Sequence, residues 1–215
     1  GSDLTGNGSK VNDSQYSWTI DNIVTYRHSF DEHDANATFV YGAEKRVYES
    51  TSASGSNFSN GVLGFNNLGA ADAALQKIAS SAWQETSLYM MARLGYAYKD
   101  RYIFTGTVRR DGFSGFSSSN KFAVFPSAAV AWRLSEEDFL KDKVDWIDDL
   151  KLRLSYGVNG NRTLSRYQTM ATMKFVDSYL YGDGAPAEKG SFINTMANDD
   201  LKWETTKTFN LGGDF

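Results

Sequence analysis

The chain of 215 residues contains no cysteine, which removes disulfide scaffolds, thiolate metal sites and cysteine nucleophiles from consideration. It has only 2 prolines and 2 histidines, so imidazole-based catalysis has little material to work with. No apolar run reaches the ~20 residues of a membrane helix. The nearest, Phe122–Trp132, is short and interrupted by Pro126 and Ser127. Nor is there an excess of positive charge. With 22 basic and 26 acidic residues the net charge is −4, which argues against a nucleic-acid partner. The first residues lack the basic and apolar regions of a secretory signal.

What the sequence does have is aromatics, 14% of residues, and 19 glycines, a composition that favours strands and turns. Seven segments alternate apolar and polar side chains: Tyr16–Arg27, Ala35–Lys45, Leu88–Tyr98, Tyr102–Arg110, Phe122–Leu134, Leu150–Val158 and Thr206–Phe215. The sixth is the cleanest, with Leu150, Leu152, Leu154, Tyr156 and Val158 on one face and Lys151, Arg153, Ser155 and Gly157 on the other. The connections alternate too. Ser29–Asp34, Lys99–Arg101 and Ser135–Asp149 are compact; Arg46–Ser87, Asp111–Lys121 and Asn159–Thr205 are looser and mostly longer. An up-and-down antiparallel sheet sorts short connections to one side and long ones to the other, as outer-membrane β-barrels do. About ten residues at ~3.3 Å rise, tilted by ~40°, span roughly the 25 Å apolar band of such a barrel. A mean hydropathy of −0.45 is compatible with this, because only alternate residues of a barrel strand face lipid.

Aromatics give a second, independent test. Tyr26, Tyr98, Tyr102 and Trp132 all lie beside short connections and on the apolar faces of their strands, as an interfacial belt requires. Pro126 stands against the pattern, since it cannot donate a ladder hydrogen bond and calls for a bulge, an edge or a kink. Among the connections, Ala70–Trp83 has helical composition, with Leu75, Ile78 and Ala82 at helix spacing, and predicts a short rim helix. Ser50–Asn60, rich in Ser and Asn, reads as a mobile loop.

Several phrases resemble the SusC/RagA branch of TonB-dependent outer-membrane transporters. They are YKDRYIFTGTVRRDG at Tyr98–Gly112, NKFAVFPSAAVAWRLSEEDFL at Asn120–Leu140, LKLRLSYGVNGN at Leu150–Asn161 and LKWETTKTFNLGGDF at Leu201–Phe215. With SWTIDNIVTYRHSFDEHDANATFVYGAEK before them, they follow the family's order over about two thirds of the chain. The resemblance implies an all-β fold, a segment of a transmembrane β-barrel with short periplasmic turns and long extracellular loops. Residues 1–215 would form a partial barrel domain, without plug domain, TonB box or signal peptide in this stretch. It implies import of oligosaccharides or peptides across the outer membrane, driven through TonB and capped by a SusD-like lipoprotein lid. The implied surroundings are outer-membrane lipid and a bulky substrate, and no cofactor is called for.

Catalytic and metal sites find weaker support than turns. His28, Asp31, His33 and Asp34 have ligand chemistry, but an Asp-rich hairpin turn accounts for them better. The pairs Glu136-Glu137, Asp148-Asp149 and Asp199-Asp200 read as solvated turn charges, because adjacent strand residues point to opposite faces and cannot flank one glycosidic bond. No enzyme is expected. Phe58, Phe65, Trp83, Phe113, Phe116, Tyr179 and Tyr181 lie in the long connections. They are candidate contacts for substrate or lid, with packing of the loops among themselves as the competing role. The alternative architecture is a β-sandwich carbohydrate-binding or adhesin module, which needs a second sheet over the apolar face.

Overall fold

A computed structural model of the chain describes residues 6–58, 62–140, 149–162, 168–179 and 188–215. Among the described residues there are nine strands: β1 (Asn7–Phe30), β2 (His33–Ser56), β3 (Lys77–Tyr98), β4 (Tyr102–Phe113), β5 (Phe122–Arg133), β6 (Lys151–Asn161), β7 (Thr172–Tyr179), β8 (Glu188–Thr195) and β9 (Glu204–Asp214). Seven form one sheet in the order β1-β2-β3-β4-β5-β6-β9, and β7 and β8 pair as a separate hairpin within the connection from β6 to β9. Every alternating segment of the sequence is therefore a strand of one up-and-down sheet. The described residues contain no α-helix.

The register explains why alternation was so clear. Tyr98↔Tyr102, Tyr96↔Phe104 and Ala92↔Val108 pair between β3 and β4. The same face continues through Tyr102↔Trp132 and Phe104↔Val130 into β5, then Trp132↔Leu152 and Val130↔Leu154 into β6. It ends with Leu154↔Leu211 and Tyr156↔Phe209 on β9. Apolar side chains thus meet apolar side chains across five strands, and they are open to the surroundings: Leu94 is 61%, Val108 51% and Leu211 76% exposed. A sheet face this apolar needs either lipid or a second sheet against it. The other sheet among the described residues is the two-stranded β7–β8 hairpin, too small for the second layer of a sandwich.

Pro126 is accommodated at the end of a ladder. β4 pairs straight past it at Val108↔Pro126, whereas the β5–β6 ladder stops at Ser127↔Gly157. No bond to β6 is asked of the missing N–H.

The sequence expectations for the second long connection need correction. β2 runs on to Ser56 and β3 begins at Lys77, so most of Ser50–Asn60 and the second half of Ala70–Trp83 are strand. In place of a helix there are single 3-10 turns at Leu68–Ala70 and Ala73–Leu75. The Asp72 carboxylate accepts from the backbone N–H of Ala74, but Gln76 is already extended. Ladder pairing with β2 outweighs the modest helix propensity of this stretch, which a nucleus of one turn does not sustain.

By its internal contacts the chain divides into two compact units, Gly1–Thr19 with Glu44–Thr86, and Ile20–Ala43 with Ser87–Phe215. In the first, Phe58 forms an isolated bridge with Ala71, and its ring fills the space beside Gly8. Gly55 is required here, since a Cβ would lie 2.6 Å from that of Ala71. The second unit carries the belt and the loop core described next.

Candidate functional site

Three groups of side chains stand out, all in the second unit. The first is a belt of rings along the short turns. Tyr98 and Tyr102 stack with centroids 6.4 Å apart, and Tyr102 and Trp132 do so at the same spacing. On the other side, Tyr26 stacks on His28, His28 on Phe30, and Phe30 on His33 at 4.7 Å; His33 then reaches Tyr98 at 4.8 Å. The four residues picked from sequence are thus members of one continuous belt. His28, Phe30 and His33 complete it. They fit the apolar face by strand parity, which corrects the expectation that His28 and His33 belong to a solvated turn. His33 Nδ1 also shares a 2.7 Å hydrogen bond with the Tyr96 hydroxyl.

Glu137 organises the end of the belt. Its carboxylate accepts from the Tyr102 hydroxyl at 2.6 Å and from the Trp132 indole N–H at 2.9 Å, and the Arg101 guanidinium lies at 3.4 Å. These donors, Tyr102 foremost and then Trp132, hold the Glu137 carboxyl below its ordinary pKa. The pair Glu136-Glu137 is therefore more than turn charge. Its signal in the sequence is its place five residues after the belt residue Trp132. On the adjacent turn the Lys99 ammonium pairs with Glu32 at 3.2 Å, which raises its pKa.

The second group lies on the opposite face of the sheet. Tyr89 donates to Asp21 and lies across Gly42, where a Cβ would overlap its ring. The Arg109 guanidinium covers the same ring at 5.0 Å and grips Asp111 with two nitrogens, at 2.7 and 2.8 Å. This wet-face chain crosses from β1 to β4; Arg109 neutralises Asp111, and Asp21 accepts from the Tyr89 hydroxyl.

The third group is a core within the long connections. Phe113 and Phe116 meet edge to face at 5.9 Å, Phe116 stacks on Trp203 at 5.0 Å, and Phe125 meets Trp203 at 5.7 Å. Phe113, Phe116 and Phe125 are 5%, 3% and 7% exposed. Polar contacts tie the surrounding segments together: Thr169 donates to the Gly115 carbonyl, Ser117 and Asn120 to that of Asp199, and Trp203 to that of Lys121. Two of the loop candidates, Phe113 and Phe116, are thus engaged in packing the loops. Trp203 joins them, a role that its place before the last strand does not announce in the sequence.

The remaining candidates are spread out. Phe65 is 60% exposed. Phe58 packs beside Gly8, and Trp83 stacks on Tyr48 at 5.4 Å. Tyr179 closes strand β7, and Tyr181 lies outside the described residues. Among the described residues no group of three or more His, Asp or Glu is arranged to hold a metal ion.

Comparison with known proteins agrees with this geometry. The family described as TonB dependent receptor-like, beta-barrel, matches residues 2–215. The chain belongs to this family. TonB-dependent receptor P3 of Formosa agariphila is 38% identical over 195 residues, covering 90% of this chain and 19% of that protein. TonB-dependent receptor SusC of Bacteroides thetaiotaomicron is 37% identical over 152 residues, 67% of this chain and 14% of that protein. The structure of the RagAB peptide transporter superposes with a TM-score of 0.82 at 25% identity, over 95% of this chain and 22% of that one. The chain thus spans about a fifth of the length of its relatives. As a TonB-dependent receptor barrel of the SusC and RagA kind it resides in the outer membrane.

Proposed function

We propose that this chain is part of the barrel wall of a TonB-driven importer that takes up oligosaccharides or peptides together with a SusD-like surface lipoprotein. The observation that carries the reading is the joint arrangement of one continuous apolar face, an aromatic belt confined to the short turns and a packed core in the long connections. The apolar face meets hydrocarbon, and between neighbouring strands the ladder satisfies the backbone groups that lipid could not. The belt rings sit at the periplasmic interface. Loops tied together by the Phe116–Trp203 stack present a defined outer surface to substrate and lid. In the first unit, Phe65, Phe58 and Trp83 are candidate contacts of their own. The relatives named above are receptors and transporters, and no catalytic role is assigned to any residue.

Single-cysteine labelling of the complete receptor in cells tests the placement. A membrane-impermeant maleimide should label Phe65→Cys on intact cells and Asp100→Cys only after permeabilisation. Labelling of Asp100→Cys on intact cells would reverse the sidedness and remove the reading. Transport is tested by growth of a receptor deletion strain on defined oligosaccharides or peptides as sole nutrient. Restoration by the complete receptor with its lipoprotein, but not by either alone, is the expected outcome.

A further inference from the structure

On the wet face of the second unit most arginines are neutralised close at hand. Arg109 is held by Asp111, Arg133 by Asp149 and Arg153 by Asp214. Arg27 and Arg93 stand apart. Both are exposed, and among the described residues neither forms an ion pair with a carboxylate. Asp34, the acid nearest to Arg27 in register, accepts from the Ser29 hydroxyl at 3.1 Å instead.

Strand pairing brings these two arginines to one place. The Lys99 N–H donates to the Glu32 carbonyl, a register that sets Asn36 opposite Gly95 and Thr38 opposite Arg93. The Ser29–Asp34 and Thr25–Thr38 side-chain bonds fix the next register, with Arg27 opposite Asn36. Arg27, Asn36 and Gly95 therefore form one row across β1, β2 and β3. Arg93 stands in the adjoining row, between Thr38 and Thr107. Two strands and two residues separate the arginines, about 12 Å between Cα atoms. Asn36 lies between them against Gly95, where a Cβ would come 2.6 Å from the amide nitrogen. Among the described residues the Asn36 amide has no hydrogen-bond partner.

Height adds to the argument. Arg93 is five residues along β3 from the belt residue Tyr98. At ~3.3 Å per residue and ~40° tilt this is about 13 Å, near the middle of a ~25 Å apolar band. Charges of one sign within low-dielectric walls focus the field and draw in the opposite charge. Guanidinium groups grip carboxylates in bidentate fashion, and the amide and hydroxyl neighbours supply further donors.

We propose that Arg27 and Arg93, with the Asn36 amide between them, form a subsite on the wall of the import path for a carboxylate of the imported solute. The receptor then favours acidic solutes over neutral ones of the same shape. The proposal rests on the import reading above, in which the wet face lines the path.

The test measures uptake of radiolabelled probes by a receptor deletion strain carrying the complete receptor and its lipoprotein. One pair is tetragalacturonate and its methyl ester; the other is a Glu-containing decapeptide and its Gln counterpart. Wild type should take up the acidic member preferentially in at least one pair, which identifies whether sugar or peptide carries the carboxylate. Arg93→Gln should lower the acid-to-neutral ratio about tenfold, the loss of one charge-assisted hydrogen-bonded pair. Arg93→Lys should lose less, and Arg27→Gln combined with Arg93→Gln should lose more. Heat-modifiable migration on gels confirms that each variant is folded.

Equal uptake within both pairs by wild type, no uptake of any probe, or an unchanged ratio in folded Arg93→Gln overturns the proposal. Lower heat resistance of Arg93→Gln with an unchanged ratio would assign the guanidinium to a carboxylate of the receptor itself, and overturns it too. A spin label at Thr105→Cys, opposite Gly95 on the wet face, separates the two readings. If it is shielded from hydrocarbon while acid preference is absent, the subsite proposal fails alone. If it reports hydrocarbon, the reading of the wet face as the lining fails with it.

Discussion

At the scale of single residues, the belt shows how much depends on polar atoms at the ends of apolar rings. Tyr102 and Trp132 have two-sided character, and Glu137 fixes their polar ends by accepting from both. Because its carboxyl is held below the ordinary range, its contribution is fully present above the unfolded value of about 4.3 and is lost as pH falls through the lower folded value. The complete receptor should therefore lose resistance to heat at acid pH in part through Glu137. Glu137→Gln should flatten that acid-range loss, and an unchanged pH profile of heat-modifiable migration would deny the carboxylate this role. The turn between β3 and β4 offers a second single-residue change. Lys99 and Asp100 both have φ near +53°, a left-handed pair whose twist suits a tight hairpin. Lys99 is engaged with Glu32, so Asp100 is the cleaner position. Asp100→Gly is expected to stabilise by about 0.5–1 kcal/mol, read as a rise in the unfolding midpoint in urea. This scale was the least legible in the sequence. His28 and His33 were obscured by the acidic turn around them, and nothing local to Glu137 announces that Tyr102 lies across the turn from it.

At the scale of elements, two glycines make room for aromatic rings. Gly42 leaves room for Tyr89, and Gly160 leaves room for the ring of Phe125 just where Pro126 ends the β5–β6 ladder. Both neighbours are aromatic rings held by further contacts, Tyr89 by Asp21 and Arg109, Phe125 by Trp203. They cannot yield cheaply. Gly42→Ala and Gly160→Ala are each expected to destabilise by about 1–3 kcal/mol, whereas Pro126→Ala should change stability by less than ~0.5 kcal/mol because no β6 bond awaits the new N–H. Urea midpoints of the three variants check this ranking, and a Pro126→Ala effect as large as the glycine effects would refute it. The strands themselves were legible wherever one face is apolar, because lipid-facing alternation is a period-two signal. It fades in Asn7–Gln15, Arg46–Ser56 and Lys77–Ser87, where both faces carry polar or small residues and only pairing with neighbouring strands defines the element. The mistaken helix over Ala70–Trp83 arose there. Its alanines favour a helix weakly, and the ladder overrides them. The β7–β8 hairpin was missed for a related reason, as its register shifts at Thr172/Met173 and Val176/Tyr179 break the alternation.

At the scale of the whole molecule, the sheet poses a physical problem that this length of chain does not resolve by itself. β1 and β9 are the two ends of the strand order, so each leaves a row of backbone donors and acceptors without a strand beside it. Between them lies an apolar face with Val24 65%, Phe104 44%, Leu154 38% and Phe209 66% exposed. On the proposed reading, further strands and the bilayer cover both in the complete receptor. In water, neither cover exists, and edge pairing and apolar association act in the same direction. The 215-residue piece produced alone is therefore expected to form large assemblies in detergent-free buffer, with light scattering after size-exclusion chromatography as the measurement. Adding detergent micelles should shield the face but leave the edges, giving smaller assemblies that retain a strand-rich circular dichroism spectrum. A folded, monodisperse monomer in plain buffer would mean that the apolar face is satisfied within the chain, and the barrel-wall reading would fall with it.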